Sequence, residues 1–408
     1  MEEFFKRMLE AFRHSVRENP PQDDAEAMER IVDLVFAEEA ASGCSMEQLD
    51  TMIRRLFYRT RCRLGILQPL MEDPSVTEIM VNGYRHIFVE KNGSLQRWPD
   101  AFDSVEELEE IMRSIAAQVH REINEMKPIV DARLEDGSRV NGVYRNVAVN
   151  GPILTIRKFS ENFMTMESLI GSGTVTETGA ALLAGLTECG YNIFVSGGTS
   201  SGKTTFLNAL SQYIPPQERV IVIEDSSELK LAGVQNIVHL ECRNSNAAGK
   251  GKITMSELLK SSLRMRPDRI IVGEVRGSEV LDMLQALNTG HSGMSTGHGN
   301  SVEGMLRRLE TMYLMAVPLQ VDAVRAQIAE ALDIMVHLEK VEGGRRRVVE
   351  IVEIEGYENG RFHLNPLMAR REDGQLLPSG NPLRKCRKLL WKGGETVGKL
   401  RDLGFIRT

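Results

Sequence analysis

The sequence predicts an α/β protein in which the α/β domain follows a small α+β domain and an N-terminal helical segment. Apolar runs at 193–195 and 220–223 are typical of buried parallel strands, and a glycine-rich loop follows the first. Upstream, short β-prone runs alternate with tight-turn signals, which is typical of an antiparallel sheet. We expect a helical segment at 1–70, an α+β domain at 71–160, a linker at 161–175 and an α/β domain with a C-terminal extension at 176–408.

The composition is that of a globular protein with two or three domains. Of 408 residues, 42% are hydrophobic and 26% are charged, which is ordinary for a soluble chain. The net charge of −7 argues against a dedicated nucleic-acid binder, and no apolar run is long enough to span a bilayer. The N-terminus lacks a signal-peptide core, and five scattered cysteines without Cys-x-x-Cys spacing fit a reducing compartment. We therefore expect a cytoplasmic protein without a structural zinc site.

Residues 1–70 predict helices. Apolar residues recur at helical spacing near the N-terminus, and Pro20 and Pro21 end this run. The stripe comprises Phe4, Phe5, Met8, Leu9, Phe12 and Val16. One interpretation is that this stripe docks on a partner or on the membrane. We favour the other, that it packs on its own domain.

Residues 71–160 predict an α+β domain with an antiparallel sheet. A capping box at 104–107 opens one helix within it. Arg133, Arg139 and Arg157 lie near predicted turns, and guanidinium groups suit phosphate recognition. For any single arginine, the residues alone favour solvated surface charge. Tight-turn signals occur at Asn82-Gly83, Asn92-Gly93, Asp136-Gly137 and Asn141-Gly142.

The strongest signal is the loop that follows the strand at 193–195. It reads Gly-x-x-x-x-Gly-Lys-Thr, the phosphate loop that binds nucleotides. Glycines let backbone N–H groups turn toward a polyanion, and the helix N-terminus adds partial positive charge. We expect Lys203 to reach the β and γ phosphates of ATP and the Thr204 hydroxyl to be a Mg²⁺ ligand. The nucleotide-binding residues are then Gly197, Gly198, Thr199, Ser200, Ser201, Gly202, Lys203, Thr204 and Thr205.

The strand at 219–223 ends in acidic residues. Strand carboxyl ends are where α/β sheets place ligands. One or more of Glu224, Asp225 and Glu228 could therefore hold Mg²⁺ through water, and the alternative is that they cap a helix.

A second acid stands just past the strand at 270–272. A carboxylate at the position of Glu274 can orient and deprotonate the water that attacks ATP; the alternative is an ordinary loop acid. Gly273 replaces the usual aspartate, so metal binding by this strand alone is less well supported.

Two histidines lie among glycines at 289–301, in a loop–strand–loop pattern. His291 and His298 could form a metal pair, but no third ligand has suitable spacing, so we reject that interpretation. His298 could instead sense the γ-phosphate by N–H donation, and a polar surface role carries equal weight.

The C-terminal part predicts helices over 301–338 and a β-hairpin at 346–364 around Asn359-Gly360. A basic run at 384–388 could touch lipid head groups or a membrane partner. Such runs are more often solvated helix faces.

Taken together, four motifs resemble the secretion-system and pilus-assembly ATPases of bacterial type II and type IV machines. Residues 197–204 resemble the Walker A motif of that family, 223–228 its Asp box, 273–276 its atypical Walker B motif and 290–300 its His box. The match covers roughly residues 70–355 and looks most like the CpaF branch, which serves Flp or tight-adherence pili. Gly299 replaces an alanine that is common there, and the cysteine-rich zinc element of the type II branch is missing, which disfavours that branch.

The resemblance implies a RecA-like ATPase domain joined by a linker to a PAS-like domain, in a homohexameric ring with nucleotide between the two domains. It implies a motor that uses ATP and Mg²⁺, lies peripherally at the inner face of the cell membrane and works on an inner-membrane platform protein. The catalytic residues that it implies are Glu274, Glu224, Glu228, His298, Arg133, Arg139 and Arg157.

Two other classes of function remain alternatives. A nucleotide-gated binding protein would bind ATP with little turnover, and the intact Lys203, Thr204 and Glu274 argue against it. A RecA-like nucleic-acid translocase would use the same fold. The negative net charge and the lack of an aromatic-plus-basic stripe argue against nucleic acid as a partner.

Overall fold

The computed structural model describes residues 2–119, 121–159, 164–231, 233–243, 251–371 and 374–407. The chain divides into two compact units, Met1–Ser160 and Glu161–Thr408. Within the described ranges, no helix has the length and apolar character needed to cross a membrane.

The first unit begins with helices that pack on one another. The apolar stripe of the first helix is buried with Ile31 and Leu56 of the next two, in a cluster confined to residues 4–57. This confirms the helical prediction for residues 1–70 and places the stripe inside its own domain. The helices are α1 (Glu2–Glu18), α2 (Asp24–Phe36), α3 (Met46–Arg61) and α4 (Gln68–Glu72), with 3₁₀ turns at Glu39–Gly43 and Gly65–Leu67.

A six-stranded antiparallel sheet with one helix completes the first unit, as predicted. Its strand order is β3-β2-β1-β6-β5-β4, and one face packs on the apolar stripe of α5. Ser104 caps α5 by accepting a hydrogen bond from the Glu107 amide. The elements are β1 (Val76–Asn82), β2 (Ile87–Lys91), β3 (Ser94–Trp98), α5 (Val105–Gln118), β4 (Ile129–Arg133), β5 (Arg139–Val143) and β6 (Ile153–Arg157).

The second unit is an α/β domain, which confirms the predicted fold class. Its helices are α6 (Met166–Gly171), α7 (Glu177–Glu188), α8 (Lys203–Ser211), α9 (Met255–Ser262), α10 (Val280–Asn288), α11 (Val302–Ala316), α12 (Val321–Ala331), α13 (Arg387–Lys392) and α14 (Gly394–Asp402). Its strands are β7 (Ile193–Gly197), β8 (Arg219–Glu224), β9 (Asn236–Glu241), β10 (Arg269–Val272), β11 (Ser292–His298), β12 (Ile334–Lys340), β13 (Arg346–Glu358), β14 (Arg361–Arg370) and β15 (Leu376–Pro378).

One nine-stranded sheet organises this unit, in the order β15-β14-β13-β12-β7-β11-β10-β8-β9. The strands from β12 to β9 run parallel to one another, and β13 to β15 are antiparallel additions. Successive side chains of β7 enter different apolar clusters, because Val195 packs on one face and Phe194 on the other. Burial on both faces explains why these strands read as continuous apolar runs.

Two segments differ from the sequence-based expectations. The predicted linker at 161–175 contains α6, and its Met166 and Leu169 are buried in the core of the second unit. The helical prediction for 301–338 is wrong at its end, because β12 begins at Ile334. Pairing with β7 buries this apolar run in the sheet, and tertiary pairing overrides local pattern there.

The predicted hairpin at 346–364 is confirmed. Strands β13 and β14 join at Asn359-Gly360, where both residues have positive φ angles of 52° and 77°. Such angles match the two-residue turn that Asn-Gly favours.

Candidate functional site

The carboxyl ends of the parallel strands meet at one edge of the second sheet. The glycine-rich loop follows β7, His298 ends β11, Glu274 lies just past β10 and Glu224 ends β8. Parallel alignment therefore brings the sequence-predicted residues of this unit to one place.

Glycines shape the loop between β7 and α8. A side chain at Gly197 would put its Cβ 2.4 Å from the Leu338 carbonyl oxygen. Gly202 has a φ of 90° and is the N-cap residue of α8. Ser200 has a φ of 58°, which a residue other than glycine adopts at some cost. Above Gly198 an added Cβ would meet nothing within 4 Å, so the loop is open there.

The loop fits a phosphate group. The Ser201 hydroxyl is buried and has no hydrogen-bond partner in the described part of the chain. A buried hydroxyl without a partner is costly unless a ligand supplies one. Thr204 lies half-buried in the first turn of α8, and its hydroxyl offers the hard oxygen that Mg²⁺ prefers.

Lys203 is held inside the site. It is 6% exposed, and its Nζ donates to the Gly198 carbonyl oxygen at 2.9 Å. Its Nζ also lies 3.2 Å from Nδ1 of His298. Burial lowers the pKa of Lys203, and the Glu274 carboxylate opposes that shift.

His298 links the lysine to the acid. Its Nε2 lies 3.3 Å from Oε1 of Glu274. An ammonium can only donate, so Nδ1 must accept from Lys203 and the ring proton lies on Nε2, facing the carboxylate. Burial, followed by the Lys203 charge, lowers the pKa of His298 below its usual value.

Arg276 completes a chain of four groups. Its Nε donates to Oε1 of Glu274 at 2.7 Å, and its backbone amide is held by the Glu279 carboxylate at 2.5 Å. The order is Lys203, His298, Glu274, Arg276, so the carboxylate is oriented from two sides. An oriented carboxylate at this edge can accept a proton from a bound water.

Glu224 occupies the space beside Gly273, the position at the end of β10 where an aspartate is usual. It is 4% exposed, and its Oε1 accepts backbone N–H groups of Glu228 and Leu229 at 3.0 and 3.1 Å. A Cβ at Gly273 would lie 2.8 Å from Cγ of Glu224. The Glu224 side chain thus fills the space beside the end of β10 and presents a carboxylate there from the neighbouring strand.

The two histidines of the glycine-rich segment lie at opposite ends of β11. His291 Nδ1 lies 3.1 Å from the Ala286 carbonyl oxygen, before the strand begins. Six residues of β11 lie between His291 and His298, which places the two histidines roughly 20 Å apart along the strand. Close packing explains the glycine at position 299, because the Cβ of an alanine there would lie 3.0 Å from Cβ of Met305.

In the first unit, strand register aligns the three arginines. Arg133 lies opposite Arg139, and Arg139 lies opposite Arg157. Directly opposite residues share a face of a sheet, and the neighbouring Val140 and Ile156 are buried on the other face. We call these three residues the arginine row, which lies on the face of the sheet away from the core. Their approach to a nucleotide stays a prediction.

Sequence reasoning missed two residues near the loop. Nε of Arg346, at the start of β13, donates to the Ser200 carbonyl oxygen at 3.2 Å. His337 of β12 is buried, and its Nδ1 lies 2.9 Å from the Ser196 hydroxyl, directly before the loop. Each contact spans about 140 residues of chain, so only the fold reveals it.

A family model described as "Type II/IV secretion system protein" matches residues 62–358. The chain belongs to this family. The match confirms the resemblance at the family level and includes the four-group chain, the arginine row and Arg346. Helices α1 to α3 and the chain from β14 onward lie outside the matched range. Assignment to the CpaF branch stays a prediction.

Among curated relatives, the conjugal transfer protein TrbB of Rhizobium radiobacter is 34% identical over 311 residues, covering 75% of this chain and 92% of that protein. An uncharacterised protein of Methanocaldococcus jannaschii is 41% identical over 257 residues, or 59% of this chain, which spans only 34% of that protein. The solved structure of the Legionella pneumophila ATPase DotB has a TM-score of 0.52 at 19% identity, covering 85% of this chain and 89% of that one. This likeness concerns the fold alone.

Proposed function

We propose that the protein is a cytoplasmic motor ATPase that hydrolyses ATP to ADP and phosphate and powers pilus assembly or protein secretion. The observation that carries the proposal is the chain of Lys203, His298, Glu274 and Arg276 beside an open phosphate loop. A binding protein needs the loop and the lysine. It does not need a carboxylate oriented from two sides at the carboxyl end of a neighbouring strand.

In this proposal, backbone amides of the loop and the Ser201 hydroxyl bind the phosphates, and Lys203 neutralises the β and γ groups. Thr204 would hold Mg²⁺ directly and Glu224 through water, and the ion would supply positive charge to the phosphate oxygens. Glu228, whose backbone amide donates to the Glu224 carboxylate, is a further acid near the end of β8.

Glu274 is the proposed general base. It accepts a proton from the water that attacks the γ-phosphate, while Arg276 fixes its orientation. His298 would donate its Nε2 proton to the γ-phosphate in place of Glu274. Such an exchange frees the carboxylate when nucleotide is present.

We further propose that the protein works as a homohexamer on an inner-membrane platform protein and lies peripherally at the membrane. The family match and the conjugal transfer relative support a role in a secretion machine. The arginine row would supply positive charge to the nucleotide, as charge provided from outside a phosphate-loop site does in other NTPases.

The test compares three purified full-length variants. Glu274→Gln should keep ATP binding and lower kcat by about 10²-fold or more, because the base is lost. Lys203→Ala should lose turnover because the phosphates lose their countercharge. Glu303→Gln makes the same change at an exposed site on α11 and should leave turnover unchanged.

Loss of ATP affinity with retained kcat in Glu274→Gln would make Glu274 a binding residue, and the base would then be Glu224 or Glu228. Wild-type turnover in Lys203→Ala would refute the proposed site. Strong stimulation of turnover by single-stranded DNA would favour a nucleic-acid translocase instead.

A further inference from the structure

The C-terminal helix α13 exposes two large apolar side chains. Trp391 is 76% exposed and Leu390 is 67% exposed. Arg387 and Lys392 are exposed beside them, and the Arg387 guanidinium lies over the Trp391 ring at 4.7 Å. We call Arg387, Leu390, Trp391 and Lys392 the C-terminal patch.

The patch sits on a firmly anchored helix. Leu389 is fully buried in the core of the second unit. Nζ of Lys388 donates to the Gly190 carbonyl oxygen at 2.9 Å and to Oδ2 of Asp333 at 2.7 Å. These contacts fix α13, so the patch is preformed and its exposure does not arise from a loosely held chain end.

The patch lies away from the phosphate loop. Gly190 precedes β7 and Asp333 precedes β12, so α13 is fixed at the edge where the parallel strands begin. The phosphate loop lies at the opposite edge, where β7 ends. A surface bound at the patch therefore leaves the nucleotide site open.

The charge of this region points to an anionic surface. Residues 384–407 contain eight lysines and arginines and two acids, a net charge of +6 in a chain whose total is −7. Basic residues near an anionic membrane are attracted to it, and the amphipathic indole of tryptophan suits the head-group region. Two exposed apolar side chains are few for the core of a protein interface, which needs about 800 Å² from each partner.

We propose that the C-terminal patch docks the protein on a bilayer that contains anionic lipid. Trp391 and Leu390 enter the head-group region, and Arg387 and Lys392 contact lipid phosphates. This deepens the peripheral membrane location of the proposed function by naming the surface that makes the contact. It does not depend on ATP turnover.

The test uses the nucleotide-free full chain and two kinds of vesicle, phosphatidylcholine alone and phosphatidylcholine with phosphatidylglycerol. Only the anionic vesicles should sediment the protein, and added salt should release it. The chain has two tryptophans, so emission should shift to shorter wavelength on binding, and Trp391→Phe should abolish the shift. Arg387→Glu should weaken binding by about fivefold or more, since each basic residue contributes on the order of 1 kcal/mol.

The matched control is Arg361→Glu, the same charge reversal at the exposed β13–β14 hairpin tip, which should bind as wild type does. Equal sedimentation with both vesicles, equal loss in Arg361→Glu, or a blue shift that persists in Trp391→Phe would each overturn the proposal. Lys203→Ala should bind vesicles as wild type does. Turnover and vesicle binding are thus read separately, and failure of one is distinguishable from failure of the other.

Discussion

The two units carry positive charge in different ways. In the second unit, Lys203 is buried and forms a chain with His298 and Glu274. In the first unit, the arginine row places like charges side by side on the outer face of an antiparallel sheet. Glu78 lies opposite Arg157 on its other side and offsets part of this charge.

This difference separates a prepared, buried site from a row of charges on the outer face of a sheet. Buried charges need partners in place before a ligand arrives, because desolvation without a partner is costly. The arginine row instead lies on the outer face of its sheet, away from the core. Guanidinium groups suit phosphate recognition, which supports a role for the row in binding phosphate.

Removing the first unit is the strongest way to test this contrast. A fragment of residues 161–408 retains both apolar clusters of the second unit and should still bind ATP. It should start before α6, whose Met166 and Leu169 are in that core. Its turnover should fall by about 10³-fold, as expected when arginine charge on the transition state is lost.

The measurement is turnover per protomer over a concentration series, with mass from light scattering. The full-length protein should form hexamers with nucleotide and gain turnover as it assembles. If the fragment is as active as the whole chain, and the whole chain stays monomeric with constant turnover, the ring and arginine proposal is wrong.

A single change in the row tests the same contrast more finely. Arg139 stands between the other two arginines, so Arg139→Ala should lower turnover by about 10²-fold, as removal of one charge-stabilising donor does. The melting temperature should hardly change, because a surface arginine contributes little to stability. Arg97→Ala, at an exposed position on edge strand β3, is the matched control. Equal losses in both variants would remove any special role for the row.

The sequence predicts those parts of the site that are local in the chain. Strand, loop and helix are contiguous from Ile193 to Ser211, so the phosphate loop and Lys203 are readable directly. Glu274 also follows an apolar strand that local pattern identifies, and His298 ends the strand that the loop–strand–loop pattern at 289–301 indicates. The two-unit organisation follows from the switch between short β-prone runs and longer apolar strands.

The rest depends on contacts between distant segments. Glu224 fills the space beside Gly273 only because β8 pairs with β10. Arg346 reaches Ser200 only because β13 follows β12 in the sheet. The start of β12 at Ile334 was predicted as helix, since a short apolar run has no period that distinguishes a buried strand from a buried helix.

The pH dependence of turnover tests the prepared site. Burial and Lys203 lower the pKa of His298, so the neutral ring persists to lower pH than in a free histidine. Turnover should therefore decline at a lower pH than the ordinary pKa of a histidine would give, because protonation removes the acceptor for Lys203. His298→Asn should lower turnover about tenfold and flatten this decline, as loss of a hydrogen bond to a charged group predicts. An unchanged pH profile in His298→Asn, or the same change in His291→Asn, would show that His298 is not the titrating group.

Substitution of Arg346 should have the smallest effect on turnover, because its side chain acts on the phosphate loop through the loop backbone, from the start of β13. Its hydrogen bond to the Ser200 carbonyl oxygen supports a residue with a φ of 58°, a conformation that needs its surroundings to hold it. Losing one such bond is worth about 1 kcal/mol, so Arg346→Ala should raise KM for ATP about fivefold and change kcat little. Arg345 is exposed next to it and has no hydrogen bond to the loop in the described ranges, so Arg345→Ala should leave KM unchanged. Equal increases in both variants would mean that general positive charge near the loop matters, and that the Ser200 contact does not.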